Sequence, residues 1–141
     1  MDITLVAEGL QFPEGPVVMA DGSIILTEIR AGRISKVWPD GRRETVAETG
    51  GGPNGLAIGP DGALYVCNNG GRFTWIDAGP GVMYPGEAPP EHKGGSIQRV
   101  DLATGKVTTL YDNHQGKPIW APNDIVFDRT GGFWFTDHSR S

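Results

Sequence analysis

An all-β chain built from repeated four-stranded antiparallel units is what this sequence predicts, and three observations carry the prediction. A sixteen-residue frame occurs three times, as EGPVVMADGSIILTEI from Glu14, NGLAIGPDGALYVCNN from Asn54 and NDIVFDRTGGFWFTDH from Asn123. Each frame holds two short apolar runs, rich in β-branched or aromatic residues, around a glycine turn, which reads as a hairpin. Two further strand-like segments follow each of the first two hairpins. Glycine (22) and proline (11) are abundant, which favours turns and short strands over long helices.

Taken in order, the chain begins with Thr4-Leu5-Val6-Ala7-Glu8, which matches the later segment ending Thr45-Val46-Ala47-Glu48. Both lie six residues before an aligned Glu or Asn, so residues 1–9 read as the outer strand of a blade closed by strands from the other end of a ring. In the first hairpin Val17-Val18 faces Ile24-Ile25-Leu26 across Asp21-Gly22, a dipeptide that tolerates positive φ. Gly32-Arg33-Ile34-Ser35-Lys36-Val37 and the segment ending at Glu48 complete that unit. The second hairpin sets Ala57-Ile58 against Leu64-Tyr65-Val66 across Asp61-Gly62. Its outer strands, Gly95 to Val100 and the segment ending Thr109-Leu110-Tyr111-Asp112, come after an insertion near residues 70–94. That insertion is rich in proline and glycine and is expected to be a long loop over one mouth. A third hairpin pairs Val126-Phe127 with Phe133-Trp134-Phe135 around Gly131.

The first two units start 40 residues apart, the length and strand count of a β-propeller blade. The expected map is an incomplete propeller of about two and a half blades. Residues 10–49 form blade 1, 50–118 blade 2 with its insertion, and 119–141 the inner hairpin of blade 3. Closing a ring takes at least about four blades, so the sequence reads as the N-terminal half of a longer protein. The rival reading is a complete, smaller β-sandwich.

Composition narrows the partners. The formal net charge is −5 with both signs interspersed, so no basic stripe invites nucleic acid or an anionic membrane. No apolar run approaches the length of a membrane span, and the first residues lack the pattern of a signal peptide. Cys67 is the single cysteine, compatible with a reducing cytoplasm, the expected location. It aligns with Thr27 and Thr136 and reads as a packed thiol. His92, His114 and His138 show no zinc-ligand spacing. His92 and His114 read as loop residues; His138 is a candidate for facing the channel. Trp38, Trp75 and Trp134 read as core or inter-blade packing.

In a propeller the first strand of each blade lines the central channel, so residues just before it converge on one mouth. Here those are Glu14, Asn54 and Asn123. Carboxylate and amide oxygens around an axis suit a hard cation, Ca²⁺ before Mg²⁺, Mn²⁺ or Zn²⁺. The competing reading is local: Asn-Gly and Asn-Asp before a strand are common turn formers, and a loop glutamate is ordinarily just solvated.

Phe12-Pro13-Glu14-Gly15-Pro16-Val17, followed by Pro122-Asn123-Asp124-Ile125-Val126-Phe127-Asp128 and Gly132-Phe133-Trp134-Phe135-Thr136-Asp137, resembles the SMP-30/gluconolactonase/LRE-like family over nearly the whole chain. The resemblance implies a six-bladed propeller, of which this chain would be about half, with a divalent metal in the central channel. It puts Glu14 forward as a metal ligand and Asn123 as a metal or substrate contact. The family's later asparagine and aspartate, the latter its candidate general base, have no counterpart here, which leaves Asp124 as a stand-in base. Where gluconolactonase-type members can carry a substrate-holding arginine, this chain has Ala121 beside Trp120, which hints at a more apolar substrate. Trp120, Asn54 and Asn69 join Asn123 as candidate substrate contacts.

What the family implies is metal-dependent hydrolysis of a small-molecule lactone or related ester, weak or absent in this portion alone. Two alternatives stand beside it: a non-catalytic binding propeller, able to self-associate through exposed blade faces, and a phosphotriesterase-like propeller with another substrate.

Overall fold

The computed structural model describes residues 2–138. Strands β1 (Pro13–Val18), β2 (Ile24–Glu28), β3 (Arg33–Val37) and β4 (Arg43–Glu48) form a four-stranded antiparallel sheet in chain order. The second sheet takes the order β5-β6-β9-β10, with β5 (Pro53–Ile58) and β6 (Leu64–Asn68) as its hairpin. Between them and the outer strands comes a separate hairpin, β7 (Trp75–Asp77) and β8 (Met83–Pro85). The outer strands are β9 (Ser96–Val100) and β10 (Val107–Tyr111). A tight pair, β11 (Asn113–His114) with β12 (Lys117–Pro118), leads into the third hairpin, β13 (Pro122–Phe127) and β14 (Phe133–Asp137). The expected sheets are all present, and among the described residues no helix occurs, so none is long and apolar enough to cross a membrane.

Residues 2–10 form no strand among the described residues; Glu8 accepts one bond through its carbonyl, from Arg43 Nη1 at 3.1 Å. The strands expected to pair with that segment are not among the described residues. One expectation needs correction: the insertion is not wholly loop. Trp75-Ile76-Asp77 and Met83-Tyr84-Pro85 pair across a turn in which Gly79 (φ 124°) and Gly81 (φ 75°) adopt backbone angles that L-residues avoid.

The sheets stack face to face in the order blade 1, blade 2, blade 3, with two apolar seams between them. Ile25, Ile34 and Ala47 of blade 1 meet Leu56, Leu64, Val66 and Val100 of blade 2. On the other side, Cys67 and Ile97 of blade 2 meet Ile119 and Ile125. Strand alternation explains how one strand serves both seams: Leu64 and Val66 point one way, Tyr65 and Cys67 the other. Tyr65 packs edge-on against Phe127, with centroids 4.9 Å apart.

Among the described residues, only blade 2 is covered on both sides. Val18 is 73% exposed, and Val126 and Trp134 are 62% and 71% exposed. Trp134 is therefore not a packing residue within this chain; among the described residues no further sheet lies against its side of β13–β14. Trp38 is not core either. Its ring is half-buried between the cations Lys36 and Arg42, at 4.8 and 4.3 Å from the centroid.

Candidate active-site mouth

All three inner strands carry a register irregularity within one residue of the same repeat position. It falls between Glu14 and Val17, between Pro53 and Leu56, and between Pro122 and Ile125. In each case the inner strand spends one more residue than its partner, which is a β-bulge. A bulge re-aims the side chains around it; Asn54 and Asn123 fall within theirs, while Glu14 still pairs with Thr27 and stands directly before its own.

The bulges lie against one another. Gly15 has φ 52°, and a Cβ there would stand 2.8 Å from the Leu56 nitrogen and 2.9 Å from the Asn54 oxygen. A Cβ on Gly55 would stand 2.6 Å from the Asn123 carbonyl and 2.7 Å from an Asp124 carboxylate oxygen. Glycine at both positions lets adjacent blades touch backbone to backbone. The hydroxyl of Thr27 lies 2.6 Å from the Asn54 carbonyl and 3.1 Å from that of Glu14, and its one proton goes to the nearer. Asn54 Nδ2 then donates to Asn123 Oδ1 at 2.6 Å, across 69 residues of sequence. The Asn54 and Asn123 side chains thus meet, with the Glu14 backbone carbonyl beside them at Thr27.

What holds each bulge is a set of residues that the sequence reading missed. Glu28, Asn68 and Asp137 sit opposite Pro13, Pro53 and Pro122 in the ladders. Each accepts backbone N–H bonds from the segment entering its hairpin. Gln11 N donates to Glu28 at 2.7 Å, Gly52 N to Asn68 at 3.0 Å, and Trp120 N and Ala121 N to Asp137 at 2.9 and 2.6 Å. All three occupy the fifteenth position of the frame, so the signal was in the repeat: an acceptor side chain in every copy. Glu28 is fully buried and also takes bonds from Arg33 Nε (2.8 Å) and Ser35 Oγ (2.6 Å). Burial pushes its carboxyl up, but the donors Arg33, Ser35 and Gln11 outweigh that and hold it below the ordinary glutamate value.

The remaining candidates divide. Glu14 is exposed, and its carboxylate makes one long contact, 3.4 Å to the N–H of Gly15. Asp124 is exposed, and its Oδ1 accepts the Ile125 N–H at 2.8 Å. Trp120 is half-buried, with the His92 ring edge-on at 4.7 Å. Asn69 is 1% exposed, and its Oδ1 accepts the N–H groups of Gly71 and Arg72, both at 3.0 Å. That side chain fixes the root of the insertion. His92 is more than a loop residue, since its Nε2 lies 2.8 Å from the Asn69 carbonyl. His114 is exposed in β11, and His138 is exposed with its N–H on the Ala121 carbonyl at 3.0 Å. Cys67 is wholly buried, and burial, with Asp124 and Asp137 nearby, pushes its thiol to about 12, the state of an inert packed thiol.

Aromatic contacts carry the insertion across this end of the molecule. Trp75 of β7 lies 5.1 Å from the ring of Phe12, two residues before Glu14. His92, near its other end, rests on Trp120, three residues before Asn123. Glu14, Asn54 and Asn123 carry one carboxylate and two amides, oxygen-bearing groups of the kind a hard divalent ion takes, but light in charge. Among the described residues no group of three or more His, Cys, Asp or Glu side chains gathers to hold a metal.

The stacked four-stranded sheets define an incomplete β-propeller. The chain belongs to the SMP-30/Gluconolactonase/LRE-like family, whose model matches residues 12–141. It is 27% identical to a gluconolactonase of Zymomonas mobilis, over 96% of this chain and 35% of that protein. To lactonase drp35 of Staphylococcus haemolyticus it is 31% identical, over 92% of this chain and 34% of the other. Among solved structures, a gluconolactonase from Xanthomonas campestris superimposes with a TM-score of 0.65 at 25% identity, over 89% of this chain and 34% of that one. The chain spans about a third of these relatives, less than the half expected from its repeats.

Proposed function

We propose that this chain forms the Glu14–Asn123 side of the channel mouth in a metal-dependent hydrolase acting on a lactone or related ester. The observation that carries the reading is the hydrogen-bonded line from Thr27 through Asn54 to Asn123 beside Glu14, in a chain related to a gluconolactonase and a lactonase. Glu14 and Asn123 are the residues that would hold the cation, with Ca²⁺ first among candidates. When bound, such an ion polarises the carbonyl under attack and favours ionisation of water.

The chain's own residues do the positioning. Asn54 orients the Asn123 amide by donating to its oxygen, which leaves the Asn123 nitrogen to meet a substrate oxygen. Asp137 clamps Trp120 and Ala121, so the Trp120 ring is fixed as one wall of the approach to the mouth. Asp124 is the nearest carboxylate on β13 that could accept a proton from water, although Ile125 already occupies one of its oxygens.

The test is calcium titration of the chain by calorimetry, alongside hydrolysis of a sugar lactone and an aliphatic lactone with Ca²⁺ or EDTA. With a single carboxylate in the set, binding should be weak, with a Kd on the order of 10⁻⁴–10⁻³ M, and turnover slow or absent. Glu14→Gln should weaken binding at least tenfold. Calcium binding unaltered by Glu14→Gln would refute the assignment.

A further inference from the structure

We infer that two copies of this chain close into one ring, each laying the outer face of its blade 3 on the outer face of the other's blade 1. The pairing does not depend on the hydrolase reading; only its consequence for the mouth does.

The seam between blades is one interface built twice. Blade 1 offers Ile25 and Ile34 to Leu56 and Leu64 of blade 2. Blade 2 in turn offers Tyr65 and Ile97 to Ile125 and Phe133 of blade 3. The repeat puts the same positions to work in both: Tyr65 aligns with Ile25, Ile97 with Ile34, Ile125 with Leu56 and Phe133 with Leu64. Each end of the stack then keeps one unused half of that seam. On blade 3 the offering half is Val126 and Trp134. Trp134 is 71% exposed, whereas Ile25 at the same frame position is 1% exposed. A shallow groove of about 180 Å³ lies along Val126, Trp134 and Thr136. On blade 1 the receiving half is Pro16 and Ile24, the counterparts of Leu56 and Leu64, with the exposed Val18 beside them.

A free-standing stack of repeats needs polar outer faces on its terminal units; these carry proline, valine and tryptophan. The two halves cannot meet within one chain, because blade 2 stands between them. Across two chains they can. Counting then fixes the number of copies. Propellers close with about four to eight blades, and this chain supplies three inner hairpins. One copy falls short, two give six and three overshoot. Both junctions of the pair are identical, so it has two-fold symmetry about the channel.

The first residues fit the same closure. Glu8 is tied to Arg43, and a Cβ on Gly41 would stand 3.2 Å from the Val6 carbonyl, so this segment is held at blade 1. Ile3 and Leu5 remain exposed. In the ring they fall beside the other copy's third hairpin, where β14 has a single neighbouring strand among the described residues. Each copy also brings its own Glu14, Asn54 and Asn123 to the same end of the ring, so the carboxylates available to a cation there double from one to two.

Sedimentation velocity and light scattering on the 141-residue chain, without metal or substrate, read the mass. Wild type should reach twice the chain mass and hold it as concentration rises further. Trp134→Glu and Val18→Glu lie at exposed positions, so each should keep the circular-dichroism spectrum of the wild type. Each should weaken pairing at least tenfold, as loss of an interface anchor does. An equimolar mixture is the decisive arm. Trp134→Glu retains a sound blade 1 face and Val18→Glu a sound blade 3 face, so together they should form a one-to-one dimer where neither variant pairs with itself. Wild type at chain mass, a mass that climbs without limit, or a mixture that stays at chain mass overturns the ring. So does a dimer abolished by Trp134→Glu but untouched by Val18→Glu, since two blade 3 faces would then be packed on each other. Because mass rather than turnover is read, loss of the hydrolase reading would leave the result standing.

Discussion

Replacing Glu28 by alanine tests how the first hairpin is held. The fully buried carboxylate accepts from Gln11 N, Arg33 Nε and Nη2, and Ser35 Oγ, at 2.6–3.1 Å. Its removal strands all of them, but unequally. Ser35 is 3% exposed and stays dry, so its hydroxyl takes a full desolvation cost of about 1–3 kcal/mol. Gln11 is exposed, and its N–H recovers water. The Arg33 side chain is 27% exposed and can turn outward, so the cost stays at or below the low end of the about 3–5 kcal/mol for breaking a fully buried pair. A loss of about 3 kcal/mol follows for Glu28→Ala, and about half that for Glu28→Gln, which keeps one acceptor. In urea, with a slope of about 1.5 kcal/mol/M, the alanine midpoint should fall by about 2 M. The pH dependence has a definite sign. The folded-state pKa of Glu28 lies below its ordinary 4.5, so its stabilisation is complete above that value and is lost as pH falls through the folded value. The gap between wild type and Glu28→Gln should therefore narrow in acid. A loss under about 1 kcal/mol for Glu28→Ala, or a gap that stays flat from neutral into acid, would show that the clasp does not hold the hairpin.

Other predictions bear on the mouth and the seams. Gly55→Ala puts a Cβ 2.6 Å from the Asn123 carbonyl, and should destabilise by about 1–3 kcal/mol and perturb the NMR shifts of β13 more than those of β1. A double-mutant cycle of Asn54→Ala and Asn123→Ala should give a coupling of about 1 kcal/mol in urea melts, against zero if the amide pair is incidental. Cys67, wholly buried and with its thiol pushed to about 12, should resist alkylation at pH 8 until the chain unfolds; labelling that is fast in native buffer would contradict the packing of the second seam.

The blades and their inner hairpins were legible because a repeat states its own register. Aligning Glu14, Asn54 and Asn123 locates all three inner hairpins. The hairpin at Trp75–Asp77 and Met83–Pro85 was hidden because proline and glycine dominate the insertion, and two three-residue strands are too short for alternation to register. Glu28, Asn68 and Asp137 escaped notice for a different reason. They are a glutamate, an asparagine and an aspartate, alike only in offering an oxygen, and that common duty shows once the ladder sets each opposite a proline. Asn69 is a candidate substrate contact by its chemistry alone, and only its burial and its bonds to Gly71 and Arg72 reveal that it anchors the insertion.

The oxygen at the fifteenth frame position has a consequence for how such a protein can diversify. It secures the incoming backbone through N–H groups that every residue except proline possesses, so it places no demand on the side chain two or three positions further on. Glutamate in one copy and asparagine in two others can occupy that neighbouring slot without disturbing the ladder. Side chains in that slot are thereby exchangeable one blade at a time, while the frame that presents them stays constant.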